Sequence, residues 1–91
     1  MNRIYTALAD PTRRKILELL RQRDMTAGEI AEHFNLAKST LSGHFAVLRE
    51  ADLIQGDKTG TTITYHLNVT VLEEALWALM NIFDIEKGGK D

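Results

Sequence analysis

LAKSTLSGHFAVLREADLI, residues 36–54, decides how the rest of the chain is read. Leu41, Phe45 and Leu48 recur one turn apart, the spacing of a helix with a single apolar stripe, over about Lys38 to Glu50. Away from that stripe the first two turns carry only Lys38, Ser39, Thr40, Ser42, Gly43 and His44. A face this mild, in a chain whose net charge is −2, calls for a reason. One is the DNA major groove. A helix entering it needs small side chains where it nears the backbone, and hydroxyls and other polar groups that bond phosphates and bases. The free N–H groups of its first turn also favour a phosphate. The same serines and threonine suit plain solvated positions, and His44, bordering the stripe, suits half-buried packing as well as DNA contact.

Working upstream, Thr26 and Glu29 form a T-x-x-E capping box. It opens a two-turn helix with Ile30, Ala31 and Phe34 as its apolar side, and Asn35-Leu36 is expected to turn the chain into the next helix. Before that, Asp10-Pro11 is a strong helix start, an N-cap acceptor followed by a residue with preset φ. The helix PTRRKILELLRQR places Ile16, Leu17, Leu19 and Leu20 on one face. Arg13, Arg14 and Lys15 crowd its first half. Such a run is usually a solvated face; supporting the phosphate backbone or bridging to acidic residues are the alternatives. Residues 3–8, RIYTAL, predict a short first helix capped by Asn2.

Downstream, the period changes from helical to two. Ile63, Tyr65 and Leu67 alternate with Thr62, Thr64 and His66, which predicts a β-hairpin over 54–67 with its tip near Lys58–Gly60. Thr70 and Glu73 suggest a second capping box for a last helix over about 70–85, VLEEALWALMNIFDI. That helix is apolar on nearly every side and must be buried all round. A domain of 91 residues cannot enclose its own terminal helix, so a second chain is expected to cover it. Trp77 and Met80 are read as packing in that interface. Residues 86–91 read as a frayed tail.

Whole-chain charge is a poor guide to any one face. Residues 1–66 hold nine Lys/Arg and eight Asp/Glu, whereas residues 67–91 hold two and five, so the acidic excess lies at the C-terminal end. The absence of cysteine excludes disulfides and thiolate metal sites, and is compatible with a reducing cytoplasm. No run approaches the roughly 18 apolar residues of a membrane span; a single cytoplasmic domain over 1–91 is expected. No glycine-rich phosphate loop or nucleophile elbow points to catalysis, and no cofactor is expected.

Two short helices joined by a turn and followed by a hairpin are the parts of a winged helix-turn-helix. ALADPTRRKILELL, MTAGEIAEHFNLAKSTLSGHFAVLREADLI and the second wing strand GTTITYHL resemble, in order and spacing over residues 4 to about 68, the ArsR/SmtB family of bacterial winged-helix repressors. ADPTRRKIL with MTAGEIAEHF and SGHF is most similar to a branch of small autorepressors. The resemblance implies a mainly α fold with a β-hairpin wing, a three-helix core and dimerising terminal helices. It implies sequence-specific repression by a homodimer on an inverted repeat of double-stranded DNA. Lys38, Ser39, Thr40, Ser42, Gly43 and His44 would meet the groove, and Lys58, Thr59 and Thr61 the flanking backbone. Ile4, Tyr5, Leu72, Leu76, Leu79, Met80 and Phe83 would form the dimer interface.

The departures from the family are specific. Metal-sensing members carry two cysteines in an E-L-C-V-C-D pattern, where this chain has D-M-T-A-G-E with Thr26 and Gly28. Neither ligates a soft metal. Members that bind metal on the last helix use histidine there, and this helix offers only Glu73, Glu74 and Asp84. Metal response is therefore not expected; a protein antagonist, of the membrane-bound kind the autorepressor branch suggests, a small molecule, or no ligand at all remain as signals. Ala37 stands where the family often has a capping serine, and Gly43 where many members carry a long base-reading side chain. The rival readings are a winged-helix module for protein–protein contact, which salt dependence separates from a DNA binder, and a metal sensor with an atypical site.

Overall fold

In the computed structural model of the chain, which describes residues 2–85, the order is α1 (Asn2–Leu8), α2 (Pro11–Gln22), β1 (Met25–Thr26), α3 (Ala27–Ala31), α4 (Lys38–Glu50), β2 (Ile54–Thr59), β3 (Thr62–Leu67) and α5 (Val69–Ile82). The fold is mainly helical with an antiparallel sheet in the order β1-β3-β2. The predicted tail, 86–91, lies outside the described residues.

Local chemistry sets the ends of the elements. At α2 the Asp10 carboxylate accepts from the N–H groups of Thr12 (2.8 Å) and Arg13 (3.2 Å). At α3 the capping box forms as expected: Glu29 N–H donates to Thr26 Oγ1 at 3.1 Å, and Thr26 N–H to Glu29 Oε1 at 2.8 Å. This helix has five residues, not two full turns. The N–H groups of His33 and Phe34 bond back to the carbonyls of Ile30 and Ala31, tightening its end, and the chain then runs without regular secondary structure through 34–37. The turn therefore falls at Glu32–His33 rather than at Asn35-Leu36. Phe34 leaves the helix but still packs on the core.

Two other expectations are corrected at helix starts. Asn2 lies inside α1 instead of capping it. Helix α5 begins at Val69 with Asn68 at its N-cap and no side-chain capping bond, so the second capping box does not form. Its far end stops earlier than Ile85, for a reason that α4 shares. Beyond α4, Asp52 takes a left-handed φ of 60°, Asp52 N–H bonds Arg49 O, and Leu53 N–H bonds Leu48 O. Beyond α5, Asp84 takes φ 55°, with Asp84 N–H on Asn81 O and Ile85 N–H on Met80 O. Both ends are Schellman motifs, satisfying carbonyls that would otherwise lack donors.

The core joins Ile16, Leu17, Leu19 and Leu20 of α2 to Ile30 of α3, Leu41, Phe45 and Leu48 of α4, Leu53 just before β2, and Ile54 and Tyr65 of the sheet. The period-two reading of 62–67 holds: Tyr65 is buried, and Ile63 and Leu67 pack beside it. Strands β2 and β3 pair from Ile54↔Leu67 to Thr59↔Thr62. This leaves Gly60-Thr61 as the two-residue tip, with Gly60 at φ 63°, where a type II′ hairpin turn demands glycine. Opposite Tyr65, Gly56 lies close: a Cβ there would stand 3.0 Å from the Tyr65 ring, which would have to shift to admit it. That clearance lets the ring tilt onto Phe45, with centroids 4.6 Å apart.

Candidate nucleic-acid interface

Helix α4 runs from Lys38 to Glu50 as the sequence predicts. It seats Leu41, Phe45 and Leu48 inward and leaves Lys38, Ser39, Thr40, Ser42 and Gly43 exposed. At 100° per residue, Ser39, Gly43 and Ala46 form the line opposite the buried stripe. The first turn contains no acidic residue, and Ala37, extended at φ −62° and ψ 148°, supplies no side-chain cap. The helix thus begins with unsatisfied N–H groups beside the Lys38 ammonium, an electropositive end. Nothing lies within 4 Å of a Cβ built on Gly43, so packing does not require glycine there.

His44 is half-buried at the edge of this face. Its Nδ1 lies 3.1 Å from Nη1 of Arg13. The other guanidinium nitrogens of Arg13 donate to α1 carbonyls, Nε–H to Ala7 O at 2.9 Å and Nη2–H to Thr6 O at 2.8 Å. Arg14 Nη1–H donates to Leu8 O at 2.7 Å, and Lys15 pairs with exposed Glu18 at 3.1 Å. Arg13 and Arg14 thus work inside the domain, both donating to carbonyls at the end of α1. No sequence pattern announced this, because the acceptors are backbone oxygens.

On the wing, Lys58, Thr59 and Thr61 are exposed around the tip. His66 Nε2 lies 2.9 Å from Gln55 Oε1, and its Nδ1 3.6 Å from Asp57 Oδ2; these contacts hold Asp57 on the adjacent strand beside His66. Two carboxylates are held below their ordinary values. For Asp10, burial works against the charge, but the N–H bonds from Arg13 and Thr12 outweigh it. For Glu29, the Thr26 N–H dominates over burial, helped by Arg23. Among the described residues no three His, Cys, Asp or Glu side chains come together as a metal site, and Thr26 is committed to its cap.

The predicted dimer residues separate into two sets. Ile4 and Leu72 pack on the monomer core, and Tyr5, Leu79 and Met80 are half-buried. Leu76 and Phe83 are 48% and 69% exposed, and Trp77 and Ile82 are exposed beside them. Within α5 only Ala75 is buried. The radius of gyration is 14.4 Å, against about 12 Å for a compact chain of this length: α5 lies along the outside of the domain.

Comparison with known proteins decides the relationship. Residues 10–55 match the model of the bacterial regulatory protein, arsR family. The chain belongs to the ArsR family. It is 47% identical over 91 residues to the transcriptional repressor SdpR of Bacillus subtilis strain 168, covering 100% of this chain and 99% of that one. It is 34% identical over 73 residues to the arsenical resistance operon repressor of Staphylococcus xylosus, covering 80% and 70%. A crystal structure of an ArsR family transcriptional regulator superposes with a TM-score of 0.78 at 30% identity, over 91% and 94% of the two chains. The winged helix described above is therefore the ArsR fold, and the protein is a transcriptional repressor of the ArsR family.

Proposed function

We propose that the protein represses transcription as a homodimer that binds an inverted-repeat operator, with one α4 helix in each of two successive major grooves. The single observation that carries the DNA contact is the exposed face of α4: an uncapped, acid-free N-terminus leading into Lys38, Ser39, Thr40, Ser42 and Gly43. Lys38 and the free N–H groups take phosphates, Ser42 and His44 meet base edges, and Lys58, Thr59 and Thr61 of the wing follow the flanking backbone. The exposed apolar face of α5, with Ile4 and Tyr5 of α1, closes against a second copy.

The signal that releases DNA is not a soft metal held at the N-terminus of α3, since Thr26 and Gly28 stand where thiolates would be needed. The family relationship supports a cytoplasmic repressor; among the described residues no helix is long and apolar enough to cross a membrane. Binding measured against salt tests the reading. Phosphate contacts release counterions, so affinity for duplex DNA falls steeply as salt rises, and Lys38→Ala lowers the log–log slope by about one. Duplex binding that is weak and indifferent to salt would favour the protein-contact reading instead.

A further inference from the structure

We propose that Arg13, which belongs to α2 and not to the DNA-facing surface, is a positioning residue for DNA recognition. Its guanidinium fixes the tautomer of the His44 ring, leaving the ring hydrogen on Nε2, and ties that orientation to the seating of α1. The inference rests on the reading of α4 as the DNA-contacting helix.

A guanidinium has five N–H donors and no acceptor. At 3.1 Å, the contact between Arg13 Nη1 and His44 Nδ1 is a hydrogen bond only if Nδ1 carries a lone pair. The hydrogen of the neutral ring then sits on Nε2, for which the described residues supply no acceptor. A protonated ring would set two cationic donors against each other at this distance. Asp10 interacts electrostatically with the ring, and its Oδ1 is engaged by the Thr12 and Arg13 N–H groups.

Arg13 itself has little freedom to give up the contact. Its Nε–H and Nη2–H are fixed on the carbonyls of Ala7 and Thr6, and Ala7 is fully buried. The guanidinium plane is thereby set by the end of α1, and Nη1 reaches α4 from a rigid fork. His44 presents one donor of defined tautomer, suited to an acceptor on a phosphate or on a purine edge. Because α1 also belongs to the proposed dimer contact, displacement of α1 shifts the donor on α4.

The test pairs a spectroscopic readout with a binding one. Nitrogen-15 spectra of the His44 ring at neutral pH should show Nδ1 without hydrogen and Nε2 with it. Arg13→Lys keeps the charge but not the fork, so it should give a tautomer mixture and about tenfold weaker binding to a preferred duplex. His44→Ala leaves the α1 caps in place, should lose a similar factor, and should add little to Arg13→Lys in the double variant. A hydrogen on Nδ1 in the wild type, unchanged affinity in His44→Ala, or additive losses would overturn the proposal. Preferred duplex binding that survives Arg13→Lys would remove Arg13's role while leaving DNA reading intact. A wild type that prefers no duplex would remove both, even with the ring in the expected state.

Discussion

Gly43 occupies the centre of the outward line of α4, where the family resemblance expects a long base-reading side chain. No neighbour would meet an added Cβ, and glycine inside a helix costs roughly 1 kcal/mol relative to alanine. The residue is therefore a local loss of stability that the monomer does not need. On the proposed reading it lets the helix backbone approach DNA closely. Gly43→Ala is expected to raise unfolding free energy by about 1 kcal/mol in chemical denaturation and to weaken binding to the preferred duplex. A variant that is more stable and binds equally well would show that Gly43 is not there for DNA. At this scale the sequence was legible for residue types and less so for their partners. The hydroxyls and Lys38 of α4 were readable because periodicity separates inward from outward positions. The attachment of Arg13 to α1 and His44 was not, because its main acceptors are main-chain oxygens.

At the scale of elements, α2 to α4 and the hairpin were readable where chemistry marks an end: Asp10-Pro11, the Thr26/Glu29 box and the change of period after Asp52. The errors fall where that chemistry is absent or imitated. Thr70 and Glu73 have the capping-box spacing, yet α5 starts one residue before Thr70. Strand β1 has two residues, too few to show alternation; it exists because Met25 and Thr26 pair with Tyr65 and Thr64. The two carboxylates that do cap helices carry a consequence for pH. Asp10 and Glu29 have lowered values in the folded chain. Their contribution is therefore fully present above the unfolded carboxylate range, about 3.9 to 4.3, and is lost as pH falls through the lower folded values. Asp10→Asn keeps an acceptor at the cap but does not titrate. Its unfolding midpoint should therefore fall less than that of the wild type as pH is lowered from 6 towards about 3. Equal acid sensitivity in both would show that Asp10 plays no part in it.

At the scale of the whole molecule, the question is what covers α5. Val69, Leu76, Trp77 and Ile82 are exposed along it, and Phe83 at its C-cap, and such patches mark interfaces. The helix was recognisable from sequence as one the domain could not bury, and the elongated chain agrees. The partner could not be read, because an apolar surface carries no address. A second copy is the reading the family relationship supports. Leu76→Glu places a charge in that face and is expected to give monomers by sedimentation while leaving the monomer fold intact by circular dichroism. Persistent dimers would move the interface elsewhere.

All three scales meet in one claim: a dimer whose paired α4 helices read DNA sequence. The most direct measurement is selection of bound duplexes from a random library, with the purified protein at moderate salt. The account predicts enrichment of an inverted repeat whose half-sites are centred about 10 base pairs apart, or a multiple of that spacing. A folded protein that enriches no sequence, or a lone half-site without symmetry, would contradict it.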